Sequence, residues 1–272
     1  MLKQRLLTAA LLIPLMVAAI MFLPNGAFAI VLGLIAIIGL WEWAGLMGIE
    51  PFWDRCVYVM LVLPLMWIAG FLPEGFLIVT YVGAAGWLVG LVMLVWFNAR
   101  PSPIPSNWVV GGISGAFVVV PAWMALVILH GGQGYGPYYV LFLMVLVWLA
   151  DTAAYFAGRY FGTHKLATNI SPGKTWEGVW GALSMALILS LTGGHLLGIN
   201  PEKLPMFVSL CVITVAFSVV GDLFESMFKR RAGVKDSGNL LPGHGGIMDR
   251  IDSLTAATPI FVVGLIFMGS VG

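Results

Sequence analysis

Charge is scarce in this sequence. Its 272 residues hold 13 Lys and Arg and 12 Asp and Glu, 9% of the chain. A soluble domain carries about 25%, so a large water-facing surface is excluded. Cysteine is scarcer still. Cys56 and Cys211 lie far apart inside apolar runs, which excludes a disulfide framework and reads as two small buried hydrophobes. No basic block exists and the net charge is +1, so nothing points to nucleic acid. Strict apolar–polar alternation is absent, which excludes a membrane barrel. No internal repeat stands out.

What is present is apolar length. Hydrophobic residues make up 60% of the chain, and the mean hydropathy is +1.00. Runs of about 20 apolar residues span a bilayer as helices. The sequence predicts nine: 6–23, 27–48, 56–72, 76–97, 108–129, 138–160, 176–198, 206–228 and 250–270. Breakers such as Pro24-Asn25-Gly26, Pro73-Glu74-Gly75 and Asn200-Pro201 separate them. Lys3 and Arg5, an apolar run and Ala27-Phe28-Ala29 resemble a secretory signal, but the run is long and more membrane helices follow. It reads as an uncleaved first span. The fold class is thus an all-α integral membrane protein of about nine transmembrane helices.

Loop charge sets its orientation. With the N-terminus in the cytoplasm and the C-terminus outside, every Lys and Arg except Lys203 falls on the inner side. Residues 1–130 then form five N-terminal spans. Residues 131–272 form a catalytic region with cytoplasmic loops at 161–175 and 229–249.

The membrane-embedded carboxylates gather toward that same side. A charge at the bilayer centre costs on the order of 3 kcal/mol or more, so such groups mark function. Asp151 sits in the inner half of the sixth span, Asp222 and Glu225 near the inner end of the eighth, and Asp249 and Asp252 at the start of the ninth. Asp222, Glu225 and Ser226 are spaced i, i+3, i+4 on one helix face, Asp249 and Asp252 i, i+3, and Asp151 and Tyr155 i, i+4. Oxygen ligands suit Mg²⁺. Lys165, Lys174, Lys229, Arg230, Arg231, Lys235 and Arg250 in the adjacent loops suit phosphate. Carboxylates beside cations are the layout of phosphoryl or nucleotidyl transfer.

Other features have plainer readings. Glu42 reads as an interfacial or structural carboxylate, and Asp151 alone fits a structural or a ligand role equally. Gly86 and Gly90 form a small-xxx-small packing motif. His164 and His195 have no metal-ligand spacing. Gly173-Lys174-Thr175 mimics a P-loop, but Thr168 stands where its first glycine belongs and no strand precedes it. Thr175 instead reads as an N-cap with Glu177 in the first turn. In Pro242-Gly243-His244-Gly245-Gly246, the glycines and the following helix start offer backbone N–H groups to an anion. At this level a transporter or flippase for an anion, a phosphoryl or nucleotidyl transferase, and a non-catalytic membrane scaffold all remain open. The missing repeat and the one-sided polar groups count against the transporter. The dense charged loop counts against the scaffold.

"SMFKRRAGVKDSGNLLPGHGGIMDRID" (Ser226–Asp252) resembles the signature of the phosphatidate cytidylyltransferases: Ser-x-apolar-Lys-Arg, four residues, Lys-Asp, then Pro-x-His-Gly-Gly-apolar-x-Asp-Arg-apolar-Asp. "DTAAYFAGRYFG", "SPGKTWEG" and "GDLFES" are similar to further segments of that family. The resemblance implies transfer of CMP from CTP to phosphatidate at the inner face of a bacterial cytoplasmic membrane. It implies Mg²⁺, with K⁺ as a companion ion, held by Asp222 and Asp249. It also implies catalytic roles for Lys174, Lys229, Arg230, Lys235, Asp236, His244, Arg250 and Asp252, with His244 a phosphate or leaving-group contact. Substrate binding falls to Asp151, Ser171, Lys174, Thr175, Glu177, Ser226, Gly245 and Gly246. The partners implied are CTP, the lipid and the bilayer, with a homodimer left open and no nucleic acid.

Overall fold

The computed structural model describes residues 2–72, 74–100, 108–132, 134–241, 243 and 245–270. Among them are nine helices: α1 (Leu2–Phe22), α2 (Asn25–Leu46), α3 (Phe52–Phe71), α4 (Gly75–Ala99), α5 (Trp108–Gly131), α6 (Gly136–Phe161), α7 (Trp176–Leu196), α8 (Leu204–Arg231) and α9 (Met248–Phe267). Seven are long and apolar enough to cross a membrane. Large apolar side chains such as Trp53, Trp67, Val92 and Ile188 face outward, as lipid-facing groups do.

The stretch expected as a loop at 161–175 departs from an all-helical plan. Lys165–Ala167 (β1) and Ser171–Thr175 (β2) pair antiparallel, Lys165 opposite Thr175 and Ala167 opposite Ser171. Asn98, near the end of α4, receives the Asn169 backbone N–H on its side chain and the Asn169 amide on its carbonyl. Ala167 and Ile170 are buried, so the hairpin is anchored against the helices. Cys211 is buried as expected, whereas Cys56 is only half-buried, and both are free.

In lipid, helices gain little from hiding apolar surface and associate by close packing of small residues. A Cβ at Gly181 would strike Ala157 and the Ala153 carbonyl on α6, and α6 and α7 meet there. Gly86 lies against Phe117 of α5, whereas a Cβ at Gly90 would meet Trp87 of its own helix, with Phe224 of α8 at 3.9 Å, so the two glycines do not share one partner helix. One hydrophobic core runs from Ile20 and Phe28 through α5 and α6 to Phe207 and Phe261. A second joins α2–α5 to the C-terminal part of α8 and the N-terminal part of α9 through Trp43, Trp87, Phe224 and Phe228. Both cores draw on residues from either side of position 130.

Pro259 removes one N–H from α9, which leaves the Thr255 carbonyl four residues earlier without its helical donor. The buried Trp87 indole on α4 donates to that carbonyl at 3.2 Å. A helix defect in one half of the chain is thus satisfied by a side chain from the other.

Hydrogen bonds and ion pairs place the C-terminal ends of α2, α4, α6 and α8 and the N-terminal ends of α7 and α9 at one end of the assembly. At the opposite end Lys203 donates to the Met268 carbonyl just past α9, at 2.6 Å.

Candidate active site

The charged end encloses a cavity of about 540 Å³. At 100° per residue, α8 presents two opposite faces there. Phe224 and Phe228 pack on Trp43, with ring centroids 6.4 and 4.8 Å away. Asp222, Glu225, Ser226 and Lys229 occupy the other side. Gly221 lets α9 come close: a Cβ there would meet the Asp252 carbonyl and the Ala256 side chain. That approach brings Asp249, Asp252 and Ser253 to the cavity wall beside Asp222. From α6, Asp151, Tyr155 and Arg159 line it at i, i+4 and i+8. Thr175 caps α7, its hydroxyl accepting from the Gly178 N–H at 3.2 Å, and Lys174 enters just before it.

The charges inside are paired but unbalanced. Lys174 Nζ stands 2.6 Å from Asp222 Oδ2, and the Ser226 hydroxyl donates to Asp222 Oδ1 at 3.3 Å. Lys229 bridges Glu225 and Asp249, 2.8 Å from each, with its side chain 10% exposed. Asp249 also accepts from the Ser237 and Gly246 backbone N–H groups at 2.8–3.1 Å. The Ser253 hydroxyl donates to Asp151 at 3.2 Å. Five carboxyl groups thus converge where two ammonium groups pair with them. Glu225 Oε1 is buried with no hydrogen-bond partner. A buried carboxylate oxygen without a donor calls for a proton or a cation beside it.

The whole of residues 3–268 matches the family model described as "Cytidylyltransferase family". The chain belongs to the cytidylyltransferase family. It is 41% identical over 264 residues to the phosphatidate cytidylyltransferase of Pseudomonas aeruginosa, covering 96% of both chains. It is 40% identical over 280 residues to that of Haemophilus influenzae, 96% of this chain and 97% of the relative. The Staphylococcus saprophyticus protein of the same name matches at 45% over 138 residues, 51% of this chain and 53% of its own. The chain is accordingly an enzyme, a nucleotidyltransferase built from membrane helices.

In this cytidylyltransferase, seven of the expected site residues line the cavity: Asp151, Lys174, Thr175, Asp222, Asp249, Arg250 and Asp252. Lys229 and Ser226 lie just behind them, each touching a lining carboxylate. Others sit apart. The Arg230 guanidinium donates to the Ile170 carbonyl at 3.1 Å and so braces the hairpin. Glu177 binds Thr163 and His164, 2.6 Å from the imidazole Nδ1. Ser171 pairs within the hairpin. Lys235 and Asp236 are exposed on the loop after α8. His244 lies outside the described residues. Arg159 lines the cavity although sequence reasoning took it only as an orientation signal; its spacing of eight from Asp151 was the available clue. The N–H groups of Gly246, Ile247 and Met248, expected to be open to an anion, donate to Asp249 and Glu42 instead. Those carboxylates already satisfy the orphan donors of the helix start.

The donor set fits Mg²⁺. The lining carboxylates are hard oxygen ligands, in excess over their paired cations. Among the described residues no three acidic, His or Cys side chains are grouped so as to hold a metal ion by themselves. An open site suits an ion held by one or two carboxylates plus substrate phosphates.

Proposed function

We propose that the chain transfers the cytidylyl group of CTP to phosphatidate, giving CDP-diacylglycerol and pyrophosphate, at the cytoplasmic face of a bacterial inner membrane. The observation that carries this is a carboxylate-lined cavity with Lys174 and Arg250 on its wall, in a chain whose near full-length relatives are named phosphatidate cytidylyltransferase. The cytoplasmic placement rests on loop charge, since the positive loops border this end.

In this reading a phosphate oxygen of phosphatidate attacks the α-phosphorus of CTP. The new P–O bond forms as the bond to the β-phosphate bridging oxygen breaks, and that electron pair leaves with pyrophosphate. The nucleophile is already an anion at neutral pH, so no proton has to be removed and no dedicated base is needed. Asp222 and Asp249 would hold Mg²⁺, and K⁺ would serve as a companion cation for the remaining carboxyls. The metal, when bound, supplies charge neutralisation and a template for phosphate oxygens. Lys174 exchanges its contact with Asp222 for a phosphate oxygen. Arg250 and Arg159 bind further phosphate oxygens from the rim, and Lys229 keeps the Asp249 carboxylate aimed. Tyr155 holds Arg159 through a 2.8 Å hydrogen bond from the guanidinium to the phenol oxygen.

The test is purified protein with phosphatidate and CTP labelled at the α- or γ-phosphate, with and without Mg²⁺. Label from the α-position should enter lipid and label from the γ-position should leave as pyrophosphate. Entry of γ-label into lipid would instead make the chain a CTP-dependent lipid kinase.

A further inference from the structure

Glu42 belongs to α2, a helix that contributes nothing to the cavity wall, yet its carboxylate is the hub of the loop that carries Asp249. It is 6% exposed. Its Oε1 accepts from the Ile247 N–H at 3.0 Å, and its Oε2 from the Met248 N–H at 2.8 Å and the Ser237 hydroxyl at 3.0 Å. Ser237 ties the two carboxylates together, because its backbone N–H donates to Asp249 at 3.0 Å while its hydroxyl serves Glu42. The surrounding glycines match this arrangement. A Cβ at Gly238 or Gly246 would collide with the Glu42 carboxylate, and one at Gly245 with Asp249. The loop therefore wraps Glu42 and Asp249 side by side, one on each side of Ser237.

We infer that Glu42 is a positioning residue for the transfer reaction. It takes up the first N–H groups of α9 and the Ser237 hydroxyl, and thereby sets the depth and rotation at which Asp249 enters the cavity. It touches neither substrate nor reacting atoms. The inference rests on the activity proposed above. Its physical basis is that all the donors around Glu42 point inward at one anion. A glutamine has only one acceptor oxygen, and its NH₂ would face N–H donors and force the loop to shift. An aspartate keeps the charge on a shorter stem.

The experiment compares the parent chain with Glu42→Gln, Glu42→Asp and Ser237→Ala, each as full-length protein in detergent. Turnover is measured against Mg²⁺, CTP and phosphatidate concentration, and backbone hydrogen exchange over residues 236–248. Partners that orient a metal-binding group typically contribute about 10–100-fold. Glu42→Gln should lower kcat by that amount and raise the Mg²⁺ concentration needed for half-maximal rate, leaving the KM for phosphatidate near the parent value. Exchange should quicken in residues 236–248 but not in α6 or α7. Glu42→Asp should recover part of both changes, and Ser237→Ala should show a milder version of the Gln phenotype. Parent-like turnover and exchange in Glu42→Gln overturns the inference. So does faster exchange throughout the helices with equal loss in Gln and Asp, because that is a packing role only. If the parent chain formed no CDP-diacylglycerol, the activity assignment would fall, while the exchange data would still decide whether Glu42 holds the loop.

Discussion

The two halves of the chain differ in what they give the cavity. Every residue lining the cavity comes from α6 onward, between Asp151 and Ser253. The five earlier helices give that wall nothing, but α2 and α4 grip it from behind. Trp43 stacks on the far face of α8, Trp87 completes the α9 hydrogen-bond ladder, and Glu42 seizes the first turn of α9. Reactive side chains need freedom to meet phosphates. The backbone that carries them needs to be immobile, and this protein assigns the two demands to different stretches of sequence.

Substitutions should expose that division. The largest effect is expected in the second half. Asp249→Asn or Asp222→Asn should cut turnover about 1,000-fold, equivalent to about 4 kcal/mol of transition-state stabilisation. Near-normal turnover of either at limiting Mg²⁺ would remove that residue from the metal site. Next comes Lys229→Met, which leaves Glu225 (1% exposed side chain) and Asp249 facing each other without their shared cation. Breaking such a buried pair costs about 3–5 kcal/mol. The thermal midpoint of the detergent-solubilised protein should fall, and adding Glu225→Gln to Lys229→Met should restore part of the loss. In the first half, Trp87→Phe should cost about 1–2 kcal/mol by leaving the Thr255 carbonyl unpaired, with turnover per folded molecule nearly unchanged. A large drop in kcat there would blur the division. The smallest change is Lys203→Met at the opposite end. Losing a cation at the α9 terminus should cost no more than about 1 kcal/mol, and cytidylyl transfer should proceed at the parent rate.

The helices were legible because a bilayer demands about 20 apolar residues for each crossing; the nine expected helices lie within a few residues of the observed ones, and seven of those are long and apolar enough to cross. Polar groups one helical turn apart were legible from helix geometry: Asp222 with Ser226, and Asp249 with Asp252, share faces as spacing requires. The hairpin at 165–175 was not. Its strands are short, polar and without alternation, and tertiary contacts at Asn98 and Arg230 hold it. Glu42 could be read as a structural carboxylate, but two of its three partners are backbone N–H groups, which leave no mark in a sequence. The same applies to Gly246 and Ile247, whose amides looked free to bind an anion until their carboxylate partners were placed. Lys229 showed its i+4 relation to Glu225, but nothing in the spacing revealed that Asp249 would close over it.

The contact between Glu42 and Met248 spans 206 residues, and that distance has a meaning in time. At about 5–20 residues per second, the ribosome needs roughly 10–40 s to travel from one to the other. During that interval α2 is already in the bilayer with a carboxylate that has none of its final donors. Glu42 lies four residues from the end of α2, near enough to the edge for water to hold it meanwhile. The nascent chain therefore passes through a stage with most of its helices made and no closed loop, and the loop can close on Glu42 only after the start of α9 has been synthesised.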